Sequence, residues 1–370
     1  MKPRERVLHA LRRDALPDRV PLQFDLCRSL LEAFGHKLGV PVEYTTSYYE
    51  DVTYRISANA LRTAMGSDCA VVGGGLPAGY SHLETDADAE HRTVVNEFGM
   101  KMRQGPLYME VIEAPLAGVS SADEVRRFPM PDPLAEGRFD GAQADIARFK
   151  DDYFIIGDLE LTMFEMAWHM TGMEQAMLAM SAGEPYFEVL LDRVKAFSIG
   201  VGKRLVELGV DAIWTGDDFG SQHGMLISPT MWRDMFKPRY AELFAELRAA
   251  NPELLICYHS DGAVAPILDD LVEIGMDVFN PVQPNVPGHD PRALKARLGD
   301  RLSFWGAIDQ QHLLPHASEA EIARDVAEKV AALGPGGGYM CAPAHIIQAD
   351  TSMENVEAFI RAVQTHGVYS

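Results

Sequence analysis

His259 and Asp261 end one apolar run of the chain, and His345 ends another run near the carboxyl terminus. Residues two positions apart on a β-strand point to the same side, so His259 and Asp261 can face one ligand. Imidazole nitrogen and carboxylate oxygen both bind divalent ions such as zinc, and two histidines with one carboxylate are typical of a catalytic metal site. We therefore expect His259, Asp261 and His345 to hold a metal. The residues alone leave open a metal-free pocket with two hydrogen-bonded histidines.

A pair of adjacent carboxylates, Asp217 and Asp218, follows a second apolar run. Neighbouring side chains on a strand point to opposite faces, so only one of the two can face a site straight ahead of the strand. A carboxylate in this position can act as a general base or bind a cation, and the alternative is that it caps a helix or loop. Gln222, a few residues on, is a candidate substrate contact.

Other runs end in acidic residues as well. The two-residue period pairs Gln23 with Asp25 and Asp158 with Glu160. Such carboxylates can exchange protons, or they can form structural ion pairs with guanidinium groups, and the pattern leaves both readings open. The candidates are Asp25 and Glu160 as catalytic groups together with Asp217 and Asp218, and Gln23, Arg28 and Asp309 as substrate contacts.

Eight short apolar runs, most of them joined by helical stretches, predict the strands that position these residues. This alternation favours a (β/α)8 TIM-type barrel, in which the carboxyl ends of all strands meet around one mouth. We expect one barrel domain over residues 1–370, beginning with an amphipathic helix. The predicted strands are Val20 to Asp25, Cys69 to Val72, Tyr153 to Asp158, Ala212 to Asp217, Leu254 to Asp261, Met276 to Val282, Leu302 to Asp309 and Gly338 to His345.

An insertion over residues 73–151 interrupts the alternation of predicted strands and helices. It contains clusters of proline and glycine around a predicted hairpin from His91 to Arg103. Insertions of this kind in a barrel usually cover the mouth or form a pocket wall. The predicted helices are Ser29 to Leu38, Thr53 to Ala64, Pro185 to Leu208, Ser228 to Ala250, Ala263 to Ile274, Ser318 to Leu333 and Ser352 to His366.

The composition restricts the class of partner. A formal charge of -21 repels polyanions, which argues against nucleic acid and anionic membranes as partners. No apolar stretch approaches the length that spans a bilayer. The four cysteines are scattered without a CxxC pair, as in proteins of reducing compartments, so we expect a cytoplasmic protein.

The ordered motifs along the chain resemble the uroporphyrinogen decarboxylase superfamily over nearly its whole length. They include Arg19-Val-Pro-Leu, Asn96-Glu-Phe-Gly, Gly216-Asp-Asp-Phe-Gly-Ser-Gln222, Lys237-Pro238, His259-Ser-Asp-Gly262, Gly275-Met-Asp-Val-Phe-Asn-Pro281, Gly336-Gly-Gly-Tyr339 and Glu354-Asn355. The resemblance implies a distorted (β/α)8 barrel with its site at the carboxyl ends of the strands.

Two branches of that superfamily differ at motifs visible in this chain. Tetrapyrrole decarboxylases carry an arginine-rich stretch near the amino terminus, where this chain keeps only Arg28. The zinc methyltransferases, which exchange methyl groups between corrinoid proteins and thiols, resemble this chain at His259 and carry cysteines where Asp261 and His345 stand. Replacing two thiolates by a carboxylate and an imidazole makes a harder site with stronger Lewis acidity.

These observations favour a metal-dependent methyltransferase-like enzyme that uses zinc or another divalent ion and a corrinoid on a partner protein. One alternative is a metal-free carboxy-lyase acting on a porphyrinogen or smaller carboxylated substrate, with Asp25 and His345 moving protons. Another is a non-catalytic protein that binds a corrinoid or a small ligand. A homodimer is expected from the resemblance and from the general frequency of such assemblies.

Overall fold

The computed structural model describes residues 1–49, 54–86, 92–105 and 109–369, apart from the side chains of residues 83–86 and 160. Seven parallel strands form a curled sheet in the order β1-β6-β7-β8-β9-β10-β11, and four antiparallel strands, β2 to β5, form a second sheet. The strands are β1 (Cys69–Gly73), β2 (Leu83–Asp86), β3 (Thr93–Val95), β4 (Lys101–Gln104), β5 (Met109–Glu113), β6 (Phe154–Glu160), β7 (Ala212–Gly216), β8 (Leu255–His259), β9 (Val278–Val282), β10 (Ser303–Ile308) and β11 (Tyr339–Pro343).

Burial on both faces explains why the parallel strands are apolar throughout. Every residue of β1, β7, β8, β9, β10 and β11 is buried, as expected for strands covered by helices on one side and packed inside the curled sheet on the other. Trp214 and Trp305 fill the inner side, with their ring centroids 4.9 Å apart. The seven strands confirm the predicted α/β class with a parallel sheet curled as in a TIM-like fold, and the eighth predicted strand is not part of that sheet among the described residues.

The run predicted as the first strand, Val20 to Asp25, is extended but is not a strand of the sheet. It accompanies β11 through isolated bridges, in which Leu22 pairs with Cys341 and Leu26 with Ile347. The ladder is interrupted because Pro21 has no amide hydrogen and the Leu22 N–H donates to the Asp68 carboxylate at 2.7 Å.

The predicted helices form, but two are interrupted at prolines, and in the described residues the one predicted from Thr53 to Ala64 is shortened to Asn59–Ala64, preceded by positive φ at Tyr54 and Ala58. The predicted helix from Ser228 to Ala250 is split at Phe236, because Pro238 lacks the amide hydrogen needed to continue the helical hydrogen bonds. In the next predicted helix, Pro266 likewise lies in a 3₁₀ turn (Ala265–Ile267), and the α-helix begins only at Leu268. The helices are α1 (Pro3–Arg12), α2 (Arg28–Leu38), α3 (Asn59–Ala64), α4 (Ala122–Arg127), α5 (Asp140–Phe149), α6 (Phe164–Thr171), α7 (Met173–Ala182), α8 (Pro185–Leu208), α9 (Pro229–Met235), α10 (Lys237–Ala250), α11 (Leu268–Glu273), α12 (Pro291–Leu298), α13 (Leu313–His316), α14 (Glu319–Leu333) and α15 (Met353–His366).

The insertion between β1 and β6 carries the antiparallel sheet and α4 and α5. Its predicted hairpin corresponds to β3 and β4, which pair antiparallel, and His91 at its predicted start lies outside the described residues. Arg138 ties the insertion together, because its guanidinium forms two bonds of 2.7 and 2.8 Å to the Glu97 carboxylate. Met109 of β5 reaches the cavity described below, so the insertion forms part of a pocket wall.

Among the described residues, no helix has both the length and the apolar character needed to cross a membrane.

Candidate functional site

Two glycines bring the loops after β7 and β8 together. Gly216 has φ +145°, and a Cβ added there would lie 1.9 Å from the carbonyl oxygen of His259. Gly262 has φ +77°, and its Cβ would lie 2.4 Å from the carbonyl carbon of Gly220. Only glycine allows such an approach of two backbones. As a result the Asp261 N–H donates to Asp218 Oδ1 at 2.7 Å, and the two loops hold their carboxylates side by side.

The adjacent carboxylates Asp217 and Asp218 point to different places, as strand alternation predicts. Asp217 is fully buried and accepts hydrogen bonds from the N–H groups of Met163 and Glu165 at the start of α6 and from the Tyr240 hydroxyl. Asp218 lines the cavity at the ends of the strands. Asp217, a predicted catalytic residue, therefore holds the start of α6 in place, and Asp218 is the one that faces the site.

The structure gathers a set of metal-ligating atoms at this point. One ligand atom from each of Asp218, His259 and Asp261 lies within 4.8 Å of the others. His259 Nε2 is 3.7 Å from Asp218 Oδ1, and His345 Nε2 is 3.7 Å from Asp261 Oδ2. Two carboxylates with imidazole nitrogens match the ligand preferences of zinc and similar divalent ions. Two of the predicted ligands, His259 and Asp261, thus meet together with Asp218, and the third, His345, lies next to Asp261.

Asn280 orients the His259 ring. The register of β8 and β9 pairs His259 with Asn280, whose Oδ1 lies 2.7 Å from His259 Nδ1. Because this oxygen accepts, the ring hydrogen is on Nδ1, and Nε2 presents its lone pair toward Asp218. Metal-binding histidines usually have such a partner on the second nitrogen. Sequence reasoning did not select Asn280, although a polar residue within the apolar run of β9 is a usable signal.

Burial controls the protonation of the cluster. Burial, followed by the positive charge of Arg55, lowers the pKa of His259 and of His345 to about 3, so both rings are neutral at pH 7. Burial and the neighbouring Asp218 raise the pKa of Asp261 well above its usual range, and burial also raises the pKa of Asp218. A bound cation offsets the desolvation and mutual repulsion of such carboxylates. Neutral imidazoles next to confined carboxylates therefore fit a divalent ion.

The cavity beside these ligands has a volume of about 390 Å³. Asp218, Asp261 and His345 lie on its wall. Sequence reasoning did not identify several other wall residues, because they lie on α6 or on irregular segments where no strand period applies: Tyr48, Tyr49, Arg55, Glu165, Trp168 and His169.

Two predicted site residues of the run from Val20 to Asp25 lie next to the candidate ligands. Gln23 and Asp25 border a small space of about 20 Å³ together with His259 and His345. Arg62 forms a buried ion pair with Asp25, and Gln23 Nε2 donates to the other carboxylate oxygen at 3.1 Å. Asp25 is therefore held in a structural pair, the arrangement that the sequence left open as an alternative to proton transfer.

Three predicted substrate contacts lie away from the cavity wall. Arg28 is exposed because α2 begins there and directs its guanidinium to Glu32, one turn along the helix. Gln222 is exposed and accepts from Gln283 Nε2 at 3.2 Å. Asp309 accepts from the N–H of Gln311 at 2.8 Å, which is a loop-capping role. The side chain of Glu160 lies outside the described part of the chain.

Comparisons with known proteins agree with this architecture. The family model described as Uroporphyrinogen decarboxylase (URO-D) matches residues 92–366. A uroporphyrinogen decarboxylase of Coxiella burnetii is 23% identical over 287 residues, 75% of each chain, and one of Magnetococcus marinus is 25% identical over 182 residues, which is 49% of this chain and 48% of the relative. The solved structure of a methyltransferase from Methanosarcina mazei has a TM-score of 0.69 at 19% identity and covers 99% of both chains.

Proposed function

The chain belongs to the uroporphyrinogen decarboxylase family, and from that premise we propose that it is a metal-dependent methyltransferase. The observation that supports this proposal is the meeting of Asp218, His259 and Asp261 within 4.8 Å, with Asp218 and Asp261 on the wall of the cavity. In the proposal a methyl group passes between a small substrate in the cavity and a thiol or a corrinoid carried by a partner protein.

In the proposal, some of these residues would bind the ion and others would contact the substrate. His259, Asp261 and Asp218 would hold zinc or another divalent ion, with His345 beside Asp261 as the fourth candidate ligand. When bound, such an ion supplies Lewis acidity, which lowers the pKa of a coordinated thiol or hydroxyl. Asn280 keeps Nε2 of His259 directed at the site. Glu165 lines the same cavity, and burial raises its pKa well above the usual range, so it is a candidate for exchanging protons with the substrate.

The charge of the cavity wall separates this proposal from decarboxylation of a polycarboxylate. Among the described residues, the carboxyl groups of Asp158, Glu165, Asp218 and Asp261 face the cavity together with one guanidinium, that of Arg55. A substrate with several carboxylates would find a single guanidinium partner among these wall residues, which is a poor electrostatic match.

Metal analysis tests the proposed ligand set. We expect the chain, purified without chelator, to carry about one equivalent of a divalent metal, and the variants His259→Ala and Asp261→Asn to lose it. His223→Ala is the matched control, because His223 is exposed in the loop after β7 and does not line the cavity. Stoichiometric metal in both ligand variants would refute the set.

Activity then separates the reaction classes. With metal present we expect methyl transfer from a methyl donor to a thiol or corrinoid acceptor, and loss of that transfer in the two ligand variants. Release of carbon dioxide by metal-free protein, unchanged in His259→Ala, would instead select the carboxy-lyase.

A further inference from the structure

Part of the cavity wall is aromatic and is built on α6 and the segment before α3. Tyr49 and His169 stack with ring centroids 5.6 Å apart at 18°, and the Tyr49 hydroxyl lies 2.6 Å from His169 Nδ1. Trp168 meets His169 with centroids 3.8 Å apart. Burial lowers the pKa of His169 to about 3, so the ring is neutral at physiological pH. The wall therefore offers aromatic surface without positive charge.

The charged groups of the cavity make it a cation-attracting space. Among the described residues of its wall, carboxyl groups outnumber guanidinium groups, and Asp158 is a carboxyl group that is not one of the candidate metal ligands. The guanidinium of Arg55 already lies over the Trp214 ring, 4.6 Å from its centroid. Burial raises the pKa of Asp158 to about 6, so this carboxylate is still ionised at pH 7.5 and interacts strongly with a cation in a poorly solvated space.

We propose that the cavity binds a small methylated ammonium compound, with its cationic nitrogen against Trp168 and Tyr49 and near the Asp158 carboxylate. Aromatic faces attract quaternary ammonium groups through the ring quadrupole, and desolvation strengthens that attraction. The volume of about 390 Å³ fits a small molecule. This inference deepens the proposed function, because it names the class of methyl donor, and only the transfer step rests on that function.

The transfer balances without an oxidant. The electron pair of an acceptor, a thiolate in the simplest case, forms a new bond to the methyl carbon while one carbon–nitrogen bond breaks and its pair stays on nitrogen. A cation and an anion thus become a neutral amine and a thioether. The product amine loses the charge that held the substrate against the aromatic wall, which favours its release.

The experiment compares choline with its neutral isostere 3,3-dimethylbutan-1-ol by calorimetric titration at pH 7.5. We expect choline to bind at least about tenfold more tightly, which corresponds to about 1.4 kcal/mol. Trp168→Leu and Asp158→Asn should each weaken choline binding about tenfold and change binding of the alcohol much less. Tyr80→Leu and Asp309→Asn are matched controls, because both residues lie outside the cavity wall and should leave both affinities unchanged.

The same titration in chelator-treated protein separates this inference from the proposed function. Preferential choline binding that persists when His259→Ala has lost its metal supports the ligand class regardless of the reaction. Equal affinity for choline and the alcohol, or a choline preference unchanged in both Trp168→Leu and Asp158→Asn, would overturn the inference even if metal is present in full. Absence of metal with preserved choline preference would overturn the proposed function alone.

Discussion

Asn280 acts on the proposed metal through His259, whose ring it contacts at Nδ1. Removing its amide frees the ring to rotate and to exchange tautomers, which weakens the Nε2 ligand without deleting it. We expect Asn280→Ala to lower metal affinity by about 10- to 100-fold with the fold preserved. Asn285→Ala is the control, because Asn285 follows the same strand but bonds to Asp309, 2.6 Å away. Competition with a chromophoric chelator measures both affinities, and equal affinities would refute the orienting role.

Individual residues were predictable from sequence where a strand period fixed their direction. His259 ends β8 and meets Asp261, two residues further on, as predicted, and Asp217 and Asp218, just after β7, point to different places as predicted. Arg55 could not be selected in this way, because it lies in an irregular segment and reaches the cavity only through the tertiary fold. Local spacing sets the direction of a side chain relative to its own strand and carries no information about groups that approach from elsewhere.

At the scale of elements, the site depends on how closely the loop after β7 approaches β8. Gly216 has no room for a side chain, since an added Cβ would meet the His259 carbonyl oxygen at 1.9 Å. We expect Gly216→Ala to destabilise the chain by about 3 kcal/mol from strain and displaced backbone, a fall in Tm of about 4 °C, and to release the metal. Calorimetry and metal analysis measure both effects.

Gly224→Ala is the control for that experiment. Gly224 lies in the same loop, and a Cβ there would meet no atom within 4 Å. We expect its Tm to stay within about 1 °C of the parent, because a surface substitution without strain changes stability little. A Gly216→Ala protein as stable as this control, with its metal retained, would contradict the close approach of the two backbones.

Elements were predictable where periodicity and capping residues agreed. Helix α8 spans Pro185–Leu208 as predicted, since Pro185 occupies a first-turn position and Gly209 adopts a left-handed conformation at the end. The prediction of a strand from Val20 to Asp25 was wrong because it rested on an apolar pattern typical of strands. The hydrogen bonds of this segment depend instead on Pro21 and on Asp68, which is distant in sequence. A hydrophobic pattern reports burial, and pairing depends on which backbone groups remain available.

For the whole molecule, the parallel sheet was predictable because every buried strand carries its own apolar signature, while within the insertion only the hairpin of β3 and β4 was. The strands β3 to β5 are short and partly exposed, so their sequence resembles that of loops. Their placement against the parallel sheet depends instead on single buried contacts. The Arg138 guanidinium, with its side chain fully buried, donates to the Gly75 carbonyl at 3.0 Å as well as to Glu97.

The pair of Glu97 and Arg138 predicts how the insertion is held on the cavity. Replacing Glu97 by glutamine leaves a buried guanidinium without its counter-charge, which costs about 3–5 kcal/mol when one partner of a buried pair is removed. Tyr48 should lose support as well, since its ring lies 5.8 Å from that guanidinium and lines the cavity. We therefore expect Glu97→Gln to lower Tm by about 5 °C and to expose residues 74–121 to protease before the rest of the chain.

Glu110→Gln provides the comparison, because Glu110 pairs with Arg103 in the same antiparallel sheet while both side chains are about half exposed. An exposed pair contributes about 0–1 kcal/mol, so this variant should melt with the parent protein and resist protease equally. Similar melting and cleavage of the two variants would mean that the insertion is held by its apolar contacts. A selective effect of Glu97→Gln would instead mean that the stability of the cavity wall depends on one buried charge pair. Loosening this pair should then also weaken ligand binding at the aromatic wall.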